Sequence, residues 1–169
     1  MNDAYVECLV KAKTSLLARF GRVFLTTLMV LLILAIFLMP PVMIFAFIGA
    51  VLCGVANYFL KLYTDLEYEY LYVDKELVVD KVMAKTKRKR IATYQLDSVE
   101  ILAPIKSYHL DNYRNRNNVK EKDYSVREVR QPDERFVMFY DGGQKIILNP
   151  SPEMIRVMKN VAPRKVFSD

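Results

Sequence analysis

Between Val23 and Leu60 thirty-eight consecutive residues carry no Asp, Glu, Lys, Arg or His. A helix that crosses a bilayer needs about 20 apolar residues, so this run is long enough for two. Pro40-Pro41 stands near its middle, where the two rings remove backbone donors and disfavour helix in the residue before each. The pattern predicts one helix over Val23–Met39, a tight prolyl turn, and a second helix over Val42–Leu60. Residues 23–60 are therefore expected to form a transmembrane helical hairpin. Phe37-Leu38-Met39-Pro40 lacks the small residues of a signal-cleavage site, so both helices are expected to stay in the chain.

Lys11, Lys13, Arg19 and Arg22 precede the first helix, Lys61 follows the second, and the connecting turn has no charge. The positive-inside rule then places both termini in the cytoplasm of a multi-pass protein of the cell (inner) membrane. Arg19, Arg22, Tyr58, Lys61 and Tyr63 are the expected anchors at that interface. Val23–Met39 alone rises only about 25 Å, so either the helix begins earlier and the two arginines snorkel, or the hairpin dips in without crossing. Ala46, Gly49, Ala50, Cys53, Gly54 and Ala56 recur three or four positions apart and line one face. Such a face is expected to hold the first helix of the same hairpin, with Asn57 bonding across it. The run contains no ionisable group, which argues against an ion-coupled transporter. Ahead of it, within residues 1–22, Val6, Leu9, Val10, Lys13, Leu16, Leu17 and Phe20 follow helical spacing. They predict an N-terminal cytoplasmic or interfacial helix.

Residues 65–169 read as one small cytoplasmic domain. Leu66–Val73 alternates, Leu77–Met83 is rich in valine, and Ile91–Tyr94, Val99–Leu102, Tyr124–Val129, Arg135–Tyr140 and Lys145–Leu148 have the composition of strands. Asp141-Gly142-Gly143 is a hairpin turn signal. Ser151-Pro152-Glu153 then starts a helix with a capping hydroxyl and a harmless proline, Met154, Ile155, Met158 and Val161 form its stripe, and Pro163 stops it. The expected class is a membrane α-hairpin plus an all-β/α+β domain of seven antiparallel strands closed by a C-terminal helix.

Arg88-Lys89-Arg90-Ile91 leading into Leu96-Asp97-Ser98-Val99-Glu100-Ile101, and Phe139-Tyr140-Asp141-Gly142-Gly143 before the last helix, carry a resemblance. The chain is similar to small membrane proteins of Gram-positive bacteria that attach a pleckstrin-homology-like (PH-like) domain to a short transmembrane hairpin. That resemblance implies a binding or scaffolding module with no catalytic residues.

Two segments are candidate contact sites. Lys85-Thr86-Lys87-Arg88-Lys89-Arg90 holds five cations in six residues and is expected to form a turn between strands, where Lys85, Lys87, Arg88, Lys89 and Arg90 either form a solvated basic turn that helps set topology or contact anionic lipid headgroups or a partner. Tyr108, His109, Tyr113, Arg114 and Arg116 fall in a polar stretch, expected to be an exposed loop between strands, either a plain loop or, as the candidate contact, one that meets a protein partner. No RNA-binding pattern accompanies these aromatics and cations, so nucleic acid is not an expected partner. The net charge of +6 divides as +2 before the hairpin and +4 after it, which suits a domain beside an anionic leaflet.

Catalytic signatures are sparse. His109 is the one histidine, and an enzyme reading would rest on it with Asp111 as orienting group. No nucleophile-elbow serine or phosphate-cradling glycine loop is present. Cys8 and Cys53 with one histidine do not make a zinc site, and no cofactor or metal is expected. The leading expectation is a non-enzymatic, membrane-anchored binding or scaffolding protein. The alternative is a structural subunit whose hairpin packs into a larger membrane complex.

Overall fold

The computed structural model describes residues 5–12, 16–116, 118–126 and 131–168. They fall into two compact units, one built on two long helices and the turn Met83–Thr86, the other on two β-sheets.

The helical unit contains α1 (Leu16–Leu38), a 3-10 turn at Pro40–Val42, and α2 (Met43–Thr64). Of the two sequence readings of the first helix, the earlier start is the one found. Arg19 and Arg22 lie inside α1, whose 23 residues rise about 34 Å, enough for a hydrocarbon core of about 30 Å. The small face of α2 meets α1 as expected. A Cβ on Gly49 would lie 3.2 Å from Leu32 Cδ1, and one on Gly54 would lie 3.7 Å from Met29 Sδ. The Asn57 amide donates to Thr26 Oγ1 at 2.9 Å. Arg22 Nη1 donates to Thr64 Oγ1 at 3.5 Å near the open end. No residue of α1 is buried, and Phe24, Phe37 and Phe45 are 67%, 79% and 78% exposed. The turn Met83–Thr86 joins this unit through the Ala84 N–H, which donates to the Asp65 carbonyl at 2.7 Å.

Among the described residues the sheet unit has eight strands. The first sheet runs β1 (Val6–Lys11), β2 (Leu66–Val73), β3 (Glu76–Met83), β4 (Lys87–Gln95) in that order. The second contains β5 (Val99–Pro104), β6 (Lys120–Asp123), β7 (Phe136–Tyr140) and β8 (Gln144–Leu148), ordered β5-β7-β8-β6. Between β5 and β6 a 3-10 turn at Tyr108–Leu110 leads into α3 (Asp111–Arg114). The C-terminal helix α4 (Pro152–Val161) begins as the sequence predicts, with Ser151 Oγ accepting from the Met154 N–H at 3.2 Å. Val6, Val10, Tyr70 and Tyr72 of the first sheet, Leu102, Met138, Ile146 and Leu148 of the second, and Met154 and Met158 of α4 share one core. The helix thereby covers apolar interior that the two sheets alone would leave open.

Three expectations are corrected. Val6–Lys11 is a strand and not part of an N-terminal helix. It pairs antiparallel with β2, Val6 opposite Tyr72 and Lys11 opposite Glu67. Val6 and Val10 are four apart, a spacing that satisfies both a helix and every second residue of a strand. Pairing with β2 decides between them, because it buries both valines. Second, the strand expected at Tyr124–Val129 lies earlier, at Lys120–Asp123, and runs parallel to β8. Tyr124 still donates its N–H to the Ile147 carbonyl and Val126 bridges Ala12, while residues 127–130 lie outside the described residues. Eight strands thus replace seven, and one pairing is parallel. Third, Lys87–Arg90 begin strand β4, and only Ala84, Lys85 and Thr86 form the turn. Ala84 and Lys85 reach positive φ there, 47° and 57°, as a two-residue hairpin reversal requires.

The β1–β2 pairing has a topological consequence. Lys11 lies opposite Glu67, so the chain leaves β1 and returns to β2 at neighbouring positions. The helical pair is therefore an insertion between two hydrogen-bonded strands of one sheet.

Candidate functional site

Alternation along β2 sends Tyr70 and Tyr72 to the core and Glu67 and Glu69 to the opposite face of the first sheet. The basic strand β4 supplies the countercharges for that face. Arg88 Nη2 contacts Glu69 Oε1 at 2.8 Å, with the Glu69 side chain 4% exposed. Arg90 Nε lies 3.6 Å from Asp80 Oδ1 of β3, an oxygen that makes no hydrogen bond among the described residues. Glu7 of β1 neighbours Glu69, and the Tyr5 hydroxyl donates to Glu7 Oε2 at 2.8 Å. Burial first, then its neighbour Glu7, raises the Glu69 carboxyl above the ordinary range. Glu69 and Tyr5 hold Glu7 below that range. Sequence reasoning missed this cluster. Its available signal was the pair of acids on the outward positions of Leu66–Val73.

The five-cation run is thus divided by the fold. Arg88 and Arg90 are committed to carboxylates of the sheet, whereas Lys85, Lys87 and Lys89 are exposed and make no ion pair among the described residues. Lys85 sits in the turn bonded to Asp65, the residue that closes α2. In the same helical unit Lys61, Tyr58 and Tyr63 of α2 are exposed, and Arg19 and Arg22 belong to the first turns of α1.

The stretch expected to be an exposed loop is mostly exposed and lies between β5 and β6, but it is ordered into a 3-10 turn and α3 and anchored by two residues. Leu110 is buried with Ile101, Val137 and Phe139, and Tyr113 packs on that cluster. The Tyr113 ring lies 5.1 Å from Phe139, and the Arg116 guanidinium lies over it at 4.6 Å while bonding Glu100 at 2.7 Å. His109 stacks on Phe167 at 3.7 Å and against Tyr108 at 4.0 Å. Asp111 pairs with Arg114 at 3.2 Å, so the two residues of an enzyme reading are engaged with different neighbours. Tyr108, at 70% exposure, Arg114 and Arg116 are the exposed members of the set. Between α3 and the sheet lies a cavity of about 290 Å³ lined by Leu110, Tyr113, Arg114, Glu121, Val137 and Phe139 among others. Its floor is apolar, and Lys145 bonded to Glu121 at 2.8 Å stands at its rim. No group of three or more metal-ligating side chains occurs among the described residues.

Two sheets around a shared core, with a capped C-terminal helix across their open end, define a PH-like domain. The chain belongs to the family described as bacterial PH-like domain (DUF6106), whose model matches residues 2–168. That match includes β1 and both long helices. No curated protein and no solved structure gives a match.

Proposed function

We propose that this protein is a membrane-anchored, non-enzymatic binding module. The hairpin α1–α2 crosses the cytoplasmic membrane with both ends on the inner face, and the PH-like domain reads the anionic lipid surface there. The observation that carries the reading is the bond between Ala84 and Asp65, which ties the first lysine of the basic run to the end of the second apolar helix. The wide exposure of the helices supports insertion. A core helix of a soluble protein would be covered, whereas the spans here are 0% and 11% buried, and bare apolar surface of that extent demands lipid or a partner. Lys85, Lys87 and Lys89 are the proposed headgroup contacts, each worth about 1 kcal/mol near an anionic surface. Tethering raises their effective concentration, so even this modest attraction is occupied. Gly49 and Gly54 are used within the chain, which supports an anchor over a subunit that packs through its small face.

The test is the full chain in lipid nanodiscs with either neutral lipid or phosphatidylglycerol, with amine labelling of each lysine read by mass spectrometry. Labelling at Lys85, Lys87 and Lys89 should fall about tenfold in anionic discs and recover as salt screens the contact. Equal labelling in both lipids would refute the lipid reading and turn the search to a protein partner.

A further inference from the structure

The second sheet is covered on both of its faces. Alternation along β7 sends Met138 to the core shared with α4, and sends Val137 and Phe139 to the other face, against Leu110 and Tyr113. That other face changes character along one row. Phe139 of β7 stands opposite Lys145 of β8, and Lys145 stands opposite Glu121 of β6. An apolar floor thus runs directly into an ion pair of 2.8 Å. The cavity of about 290 Å³ between α3 and the sheet spans this change, and Arg114 of α3 lines it too. Asp111 holds Arg114 Nη1 at 3.2 Å, while Arg114 Nη2 lies 3.4 Å from the Ile105 carbonyl at the cavity wall. Leu110, Val137 and Phe139 are buried, whereas Arg114, Lys145 and Glu121 reach solvent. The cavity therefore has an apolar body and a charged mouth.

We propose that this cavity binds a small amphiphilic acid, whose apolar body lies on Val137 and Phe139 against Leu110 and Tyr113 and whose carboxylate meets Arg114 and Lys145 at the mouth. The site goes beyond the lipid reading above and does not depend on it. Size sets the body. At roughly 30 Å³ for each non-hydrogen atom, a volume of about 290 Å³ holds about ten of them. Octanoate and 3-phenylpropanoate are of that size, and a nucleotide or a whole phospholipid is too large. Charge sets the head. Two cations and one acid line the cavity, and the acid, Glu121, is already held by Lys145. The guanidinium and the ammonium group carry more N–H donors than these contacts use, so a carboxylate can take charge-assisted bonds from both. An ammonium head would instead meet two like charges. The Tyr113 and Phe139 rings, 5.1 Å apart, offer a surface to either an aliphatic or an aromatic body, the two sources of this one chemistry.

The experiment uses the full chain in neutral-lipid nanodiscs, isotope-labelled at the methyls of Ile, Leu and Val. It is titrated to about 10 mM with octanoate, with 3-phenylpropanoate or with uncharged octanamide. The methyls of Leu110, Val119 and Val137 should shift saturably with an acid, while those of Leu77 and Val79 in the first sheet stay still. Octanamide should bind about tenfold more weakly than octanoate. Arg114→Gln should weaken the acids about tenfold and leave octanamide unchanged, a split that a general loss of structure would not give. Val119→Phe fills a half-buried wall and should remove the shifts at Leu110 and Val137 with Leu77 unmoved. Tighter binding of octanoate would assign an aliphatic source to the ligand, and tighter binding of 3-phenylpropanoate an aromatic one. Equal affinity for octanoate and octanamide would overturn the acid-binding site. So would shifts confined to methyls of α1 such as Leu32, which report partition into the bilayer, or no saturable shift at Leu110, Val119 and Val137 with any probe. The lysine labelling in anionic discs is unaffected by any of these results, so the two proposals fail separately.

Discussion

Tyr70 brings a hydroxyl into the core beside Tyr72 and Tyr94, and the fold answers both of its bonding capacities. The ring is 0% exposed, its O–H donates to the Tyr124 carbonyl, and its oxygen accepts from the Asn149 N–H at 3.3 Å. That one group fastens β2 to the segments that follow β6 and β8. Tyr70→Phe keeps the ring and leaves two backbone groups without this partner, so it should cost about 1–2 kcal/mol in urea unfolding of the full chain. Because burial pushes the Tyr70 hydroxyl far up, the loss should be the same at pH 6 and pH 9. Asp133 behaves oppositely toward acid. Its carboxylate takes two bonds from the Arg135 guanidinium, at 2.9 and 2.6 Å, and these hold it below the ordinary range. A depressed carboxyl stabilises the fold above its unfolded value, and that contribution disappears as pH falls through its folded value. Asp133→Asn should therefore destabilise by on the order of 1–2 kcal/mol at pH 7, with the difference from the parent narrowing below the ordinary Asp value of 3.8.

At the scale of elements, β1 decides what the domain is. Val6 and Val10 are 7% and 8% exposed in the shared core, although the helical pair separates them in sequence from every other core strand. Val10→Asp should lower domain stability by about 3 kcal/mol or more, through a buried unpaired charge, although it lies before the hairpin. A chain cut to 65–169 lacks this strand and bares the edge of β2. It should bind a hydrophobic dye and lose near-ultraviolet dichroism, whereas β1 joined to β2 by a short turn should fold. The hairpin, α4 and the Asp141-Gly142-Gly143 turn are legible in the sequence because each is punctuated by residues with one structural meaning. Examples are Pro40-Pro41, the Ser151 cap, and Gly142 at φ 65°. β1 is not legible, since its valines fit two periods at once. Neither is β6, whose Lys-Glu-Lys-Asp has no apolar alternation and is held by backbone bonds to β8. Charges on such an exposed strand also discourage pairing with other chains.

For the whole molecule, the helical pair is an insertion between two bonded strands of one sheet. Lys11 opposite Glu67 brings the two ends of the insertion to neighbouring positions of one sheet. The cationic run is legible as composition. Its division into two held arginines and three open lysines is not, because that depends on β2, β3 and β4 lying side by side. The polar stretch around His109 is legible as exposed, but its anchoring is not, for the same reason. Its Leu110 and Tyr113 find their partners on strands β5 and β7, which are remote in sequence. The measurement closest to the central claim is the sidedness of the hairpin in intact cells. In a Cys8→Ser, Cys53→Ser background, Met39→Cys, Leu9→Cys and Lys75→Cys would each be exposed to an impermeant thiol reagent. The account predicts labelling of position 39 from outside, and of positions 9 and 75 only after the membrane is opened. Positions 9 and 75 reacting from opposite sides, or all three staying on one side, would contradict it.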